Sequence, residues 1–144
     1  MDDLEIVAPL IRKWEGLRLR PYLCAAGVPT IGYGHVISSL SHPEISRKQA
    51  EEWLISDMAK FKVQLLTASP SLVNASAHRR AALISFVFNL GIGRYRSSTL
   101  RKKVQEGDWE AAKREIVKWV FGGGKKLPGL VARRAEEALF LDIE

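Results

Sequence analysis

The chain has 144 residues, 47% hydrophobic and 26% charged, enough for one globular core and too apolar for long disorder. A net charge of +6 and a pI near 9.7 favour an anionic partner (nucleic acid, an acidic polymer or a membrane surface) without choosing among them. The single Cys24 excludes an intramolecular disulfide. No stretch approaches the ~18 apolar residues of a membrane span, and the acidic start Met1-Asp2-Asp3 is unlike a signal peptide, so the chain reads as made in the cytoplasm with no export signal and no stable membrane insertion.

Leu4, Ile6, Val7, Leu10, Ile11 and Trp14 recur at helical spacing, with Pro9 predicting a helix start or bend near it. From 17 to 37 that period vanishes. Gly27, Pro29, Gly32 and Gly34 punctuate Val28, Ile31, Tyr33, Val36 and Ile37, which predicts short strands and tight turns. Ser46-Arg47-Lys48-Gln49 is a capping box opening a helix of about 18 residues, roughly 27 Å long. Pro70 and Asn74 mark a break. Ser76 caps a segment from Ala81 to Leu90 that is nearly all apolar, as a central helix is, and Gly91 closes it. Ser97 or Ser98 opens a short basic helix ending at Gly107. Asp108 caps another from Trp109 to about Val120, Gly122-Gly123-Gly124 reads as a flexible loop, and a last helix follows Gly129. Helix, small sheet, then helices is an α+β order with segregated parts.

Glu15 closes the first helix just before the glycine-rich strands. A carboxyl held at a sheet edge beside Trp14 and Leu17, partly out of water, is suited to act as a general acid. On spacing alone, a glutamate at a helix end is a solvated charge. The surrounding motif changes that. Glu15-Gly16-Leu17-x-Leu19-x-x-Tyr22 followed by Gly27-x-x-Thr30-Ile31-Gly32-x-Gly34-His35 resembles the active-site region of phage-type lysozymes, the endolysins of glycoside hydrolase family 24. Phe88-Asn89-Leu90-Gly91, Ser98-Thr99-Leu100, Trp119 before the triple glycine, and Gly129-Leu130-x-x-Arg133-Arg134-x-x-Glu137 extend the resemblance over nearly the whole chain.

The resemblance implies a lysozyme-like fold over residues 1–144. It consists of a sheet lobe with its linking helix at about 15–60, a helical lobe at about 1–14 and 61–144, and a cleft between them. It implies a muramidase that hydrolyses the β-1,4 bond between N-acetylmuramic acid and N-acetylglucosamine in peptidoglycan, as a monomer without metal or cofactor. Glu15 falls on the general acid, Thr30 on a threonine that positions water, and His35 on a histidine near the acid, structural and orienting and counted with the substrate contacts. Asn89 and Ser98 fall on glycan contacts; read locally, they are a helix-end residue and an N-cap. An enzyme without an export signal would need a holin or similar lesion to leave the host cytoplasm for the wall.

Cys24 departs from the pattern, standing where the family usually has an aspartate that orients the attacking water. A thiol matches that carboxylate only as a thiolate, which requires a lowered pKa; Arg18 and Arg20 are near in sequence. Cys24 is therefore a working substitute, an inert buried thiol, or the mark of a weakly active or non-catalytic glycan-binding relative. The pairs Arg79-Arg80 and Arg133-Arg134, with Arg101-Lys102-Lys103 and Lys125-Lys126, read as solvated faces that would hold an enzyme to an anionic wall. A nucleic-acid-binding helical module is the rival class, but the charges are scattered over several elements and no helix-turn-helix pattern stands out.

Overall fold

In the computed structural model, which describes residues 1–144, helix α1 spans Asp3–Glu15, with the Asp2 side chain accepting from the Glu5 amide at its N-terminus. Pro9 lies inside this helix on its exposed side, so the start falls at Asp3 rather than near Pro9. The solvent side is where a helix best tolerates the missing donor. Val7, Leu10 and Ile11 form the buried face. The strands follow as β1 (Arg18–Leu23), β2 (Pro29–Gly32) and β3 (His35–Val36), an antiparallel sheet in that order. Tyr22 sits opposite Thr30 in the β1–β2 register.

Helix α2 (Arg47–Ala68), capped by Ser46, is 22 residues long, about 33 Å, longer than the apolar pattern suggests because buried Leu65 and Ala68 carry its last turn to Ser69. A 3-10 turn at Pro70–Asn74 leads into α3 (Ala77–Leu90), in which every residue from Ala81 to Phe88 is buried. Helix α1 packs on α3, and α3 packs in turn on α2 and on α7 (Pro128–Leu141). One core cluster runs from Val7 and Tyr33 through Leu54, Phe86 and Tyr95 to Leu141.

Three further helices complete the chain: α4 (Ile92–Arg96), α5 (Thr99–Gln105) and α6 (Trp109–Ile116). The segment α4 shows no signal in the sequence because it is one short turn anchored by buried Tyr95. Helix α6 stops at Ile116 instead of about Val120. The triple glycine belongs to a hairpin, β4 (Phe121–Gly122) with β5 (Lys125–Lys126), and is not a loose loop. Gly123 and Gly124 both have positive φ, 59° and 79°, the pair of conformations a two-residue hairpin turn of matching twist requires. Helix α7 begins at Pro128 and so takes in Gly129 instead of following it.

Lys125 and Lys126 are exposed, as a solvated face requires, but the arginine pairs are not solvated faces. Arg133 and Arg134 are 3% and 0% exposed. Arg80, with Lys62, pairs with the buried carboxylate of Asp3, tying α3 and α2 to α1. Burial opposes the Asp3 charge, but these two cations hold its pKa below the usual carboxylate range.

Candidate active site

A cleft of about 500 Å³ lies between the sheet and the helices. Glu15 enters from the end of α1, Tyr22 and Cys24 from β1 and the turn after it, Thr30 from β2, and Asn89 from α3. Strand geometry brings the sheet residues together. Side chains two apart share a face, so Cys24 follows Tyr22, and Thr30 is the cross-strand partner of Tyr22.

The Glu15 carboxyl is held from two sides. Arg133 Nη1 donates to Oε2 at 2.7 Å, from a guanidinium that also donates to the Ser85 carbonyl at 3.2 Å. On the other side lies Gly34. A Cβ built there would stand 2.6 Å from Glu15 Oε1, and the Gly34 φ of 73° is itself left-handed, so both space and backbone require glycine. Trp14 does not form this wall in the way the sequence suggests; its indole N–H donates to Glu136.

Behind Arg133 is a buried polar layer. Ser85 Oγ donates to Glu137 Oε2 at 2.6 Å, and Arg134 Nη2 donates to Asn89 Oδ1 at 2.7 Å. Arg134 Nε stands 2.8 Å from Glu137 Oε1, an ion contact whose angle falls outside hydrogen-bonding geometry. Burial dominates both members of this pair. It raises the Glu137 pKa against the pull of Arg134 and Arg133, and it lowers Arg134 to about 10. The Asn89 amide therefore lines the cleft with its oxygen already engaged.

Cys24 is held locally. Its amide donates to the Val28 carbonyl at 3.0 Å, and Gly27 donates back to the Cys24 carbonyl at 2.8 Å, closing a tight turn. Burial alone would raise the thiol pKa. Hydrogen bonds from the Val28 and Ala26 backbone and from the Thr30 hydroxyl outweigh it and set the pKa below the ordinary thiol value. Arg18 and Arg20 are not the cause: Arg18 lies over the Tyr22 ring and Arg20 pairs with Glu44. Thr30 Oγ1 donates to the Val28 carbonyl at 2.8 Å, so its one proton serves either that carbonyl or the thiolate. The Tyr22 phenol is raised by burial first and then by the nearby charge of Glu15, with a smaller contribution from Cys24; it feels both.

Two expected glycan contacts lie elsewhere. His35 Nδ1 meets Asp57 Oδ2 at 2.7 Å, and its ring stacks on Trp53 at 4.3 Å. The ring faces α2 rather than the cleft, whose lining includes its neighbours Gly34 and Val36. Ser98 is 5% exposed, caps α5 through the Arg101 amide and donates to the Tyr95 carbonyl, so its one proton is committed and it does not line the cleft.

With this geometry in place, likeness to known proteins is informative. The phage lysozyme family model matches residues 12–137. The chain belongs to the phage lysozyme family. An endolysin of Acyrthosiphon pisum secondary endosymbiont phage 1 is 41% identical over 136 residues, 91% of this chain and 92% of that protein. The endolysin of Bacillus phage PZA is also 41% identical, over 91% of this chain but 52% of its own length, so the chain spans about half of that relative. Among solved structures, the muramidase domain of SpmX from Asticaccaulis excentricus superposes with a TM-score of 0.83 at 26% identity, covering 99% of this chain and 95% of that one. An endolysin from Escherichia coli O157:H7 phage FAHEc1 does so with 0.76 at 30% identity, covering 97% and 90%. The lysozyme-like α+β fold and the glycosidase class follow from this membership.

The structure adds residues that local sequence reasoning passes over. Arg133 is the chief one; its only sequence signal is a place in the motif that continues to Glu137. Arg94, Phe121 and Leu130 also line the cleft.

Proposed function

We propose that this cleft hydrolyses the β-1,4 bond between N-acetylmuramic acid and N-acetylglucosamine, with Glu15 as general acid and with Cys24 and Thr30 holding the attacking water. The observation that carries the reading is the two-sided hold on Glu15. Arginine has no acceptor, so a proton on this carboxyl resides on Oε1, the oxygen beside Gly34, while Oε2 stays on Arg133. Protonating the glycosidic oxygen from Oε1 makes the sugar a leaving group as oxocarbenium-like charge develops at the anomeric carbon. The Cys24 thiolate takes a proton from water as the water adds to that carbon, which gives inversion. Thr30 positions the same water through its hydroxyl.

The wall polymer is anionic, and Arg94 in the cleft has no carboxylate partner, which favours its approach. On this reading the enzyme acts as a monomer and reaches the wall through a holin-type membrane lesion. No helix of the chain is long and apolar enough to cross a membrane.

Purified peptidoglycan should yield muropeptides with new N-acetylmuramic acid reducing ends on mass spectrometry. Binding to the sacculus without such ends would establish the non-catalytic glycan-binding alternative instead.

A further inference from the structure

The chain has four tryptophans, three tyrosines and five phenylalanines. Phe121 alone among them neither joins the core nor meets another aromatic ring or a cation. It is 60% exposed, and the water-facing ring lines the cleft. Leaving a phenylalanine in water forgoes the gain of burying it, and an unpartnered apolar surface inside a binding cleft marks a place where a ligand supplies the missing contact.

The hairpin fixes where that ring stands. Its backbone pairs Phe121 with Lys126 and Gly122 with Lys125, and the Leu127 amide continues the ladder to the Val120 carbonyl at 2.9 Å. Gly122 packs so closely on Leu127 that a Cβ would come within 2.6 Å of its Cδ1. The following glycines, Gly123 and Gly124, carry no side chain that could cover the ring. Phe121 is thus a flat apolar plate on a short, tightly packed turn. Tyr22, its ring braced by Arg18 at 4.7 Å, enters the same cleft from the sheet.

We infer that Phe121 is a sugar-stacking residue that binds the apolar C–H face of a pyranose ring of the glycan strand and so sets the affinity for that strand. The inference rests on the muramidase reading for the identity of the strand. The chemistry needed is that of a hexosamine ring, whose axial hydrogens form an apolar face that an aromatic plate covers; the polar edge stays free for hydrogen bonds. Phe121 touches no reacting atom in this role, so its removal acts on binding and spares the chemical step.

The test is steady-state kinetics on soluble, uncrosslinked peptidoglycan strands. Phe121→Ala should raise KM about tenfold with kcat within twofold of wild type, the order expected for losing one aromatic contact. Phe121→Trp should restore KM. Phe121→Leu, which keeps apolar bulk but loses the plate, should not. An unchanged KM in Phe121→Ala, a loss confined to kcat, or full rescue by Leu would each overturn the inference. Calorimetric binding of the same strands to Glu15→Gln, with and without Phe121→Ala, should show the same tenfold shift. That arm reads Phe121 without turnover, so a wild type that fails to hydrolyse the strands overturns the muramidase reading and leaves the stacking inference to stand or fall on the binding shift.

Discussion

The two sides of the cleft hold their reactive groups by different means. Glu15 is fixed at long range: Arg133 reaches it across 118 positions of sequence, and that guanidinium is itself seated on buried Ser85 and Glu137. Cys24 is fixed at short range, by a turn closed on Gly27 and by the Val28 backbone four residues on. Glu15, the proposed acid, is therefore anchored to the core, and the proposed water side is a local loop resting on a small sheet. Damage on the acid side should cost both fold and turnover, whereas damage on the water side should cost turnover alone.

The largest effect expected is on chemistry. Glu15→Gln removes the proton donor yet keeps the shape and an oxygen for Arg133, so kcat should fall about 10³-fold, or about 4 kcal/mol of barrier. Reducing-end assays measure it; retained turnover removes Glu15 from the acid role. Next comes Arg133→Met, which leaves Glu137 without one of its two guanidiniums and Glu15 without its fixed partner. Loss of a partner from a buried ion pair costs about 3–5 kcal/mol, read as a lower midpoint in urea, and activity should fall with it. If Arg133→Met unfolds like wild type, the acid is not embedded in the core and the contrast between the two sides collapses.

That contrast also explains what the sequence displays. The water side is legible because it is local. Cys24, Gly27 and Thr30 are close in sequence, turn residues and β-formers announce their geometry, and only the source of the thiol's lowered pKa had to come from coordinates. Glu15 is legible through its motif. Arg133 is not, because a double arginine on a helix has the same appearance whether it faces water or a buried carboxylate; only the packing of α7 on α3 decides. Ser98 and His35 fail for the opposite reason. Their residue types suit ligands, but nearby backbone and Asp57 claim their polar atoms first. The Gly122–Gly124 run misleads as a flexible loop because consecutive glycines signal both floppiness and the positive φ values of a tight hairpin.

Gly34 lies where the two sides meet, in the turn between β2 and β3 but against Glu15. Gly34→Ala adds a methyl where Oε1 now sits and forces a left-handed conformation on alanine, which costs about 1 kcal/mol. The carboxyl must move, and a displacement near 1 Å can cost about 10²-fold in rate. The expected result is a kcat reduced about that much with only a small drop in melting temperature. A Gly34→Ala enzyme of full activity would show that the position of Oε1 is not what the site depends on.

The smallest effect belongs to the thiol, and it isolates the water side. Cys24→Ser keeps size and hydrogen bonding but not an accessible anion, so kcat should fall about tenfold, while Cys24→Asp should retain most of the wild-type rate. Neither should change stability by more than about 0.5 kcal/mol, since Cys24 is only half-buried. The sign of the pH dependence follows from the lowered thiol pKa. The thiolate is populated at lower pH than a free cysteine's, so iodoacetamide should label Cys24 with a midpoint below that of a free cysteine labelled in parallel. Thr30→Val removes one of the hydrogen bonds that favour the anion, so the midpoint should move upward. If serine proves as active as cysteine, the anion is not used, and the water is held by Thr30 and the turn alone. The two sides would then differ in function as well as in support, with one group doing proton transfer and the other only placing a solvent molecule.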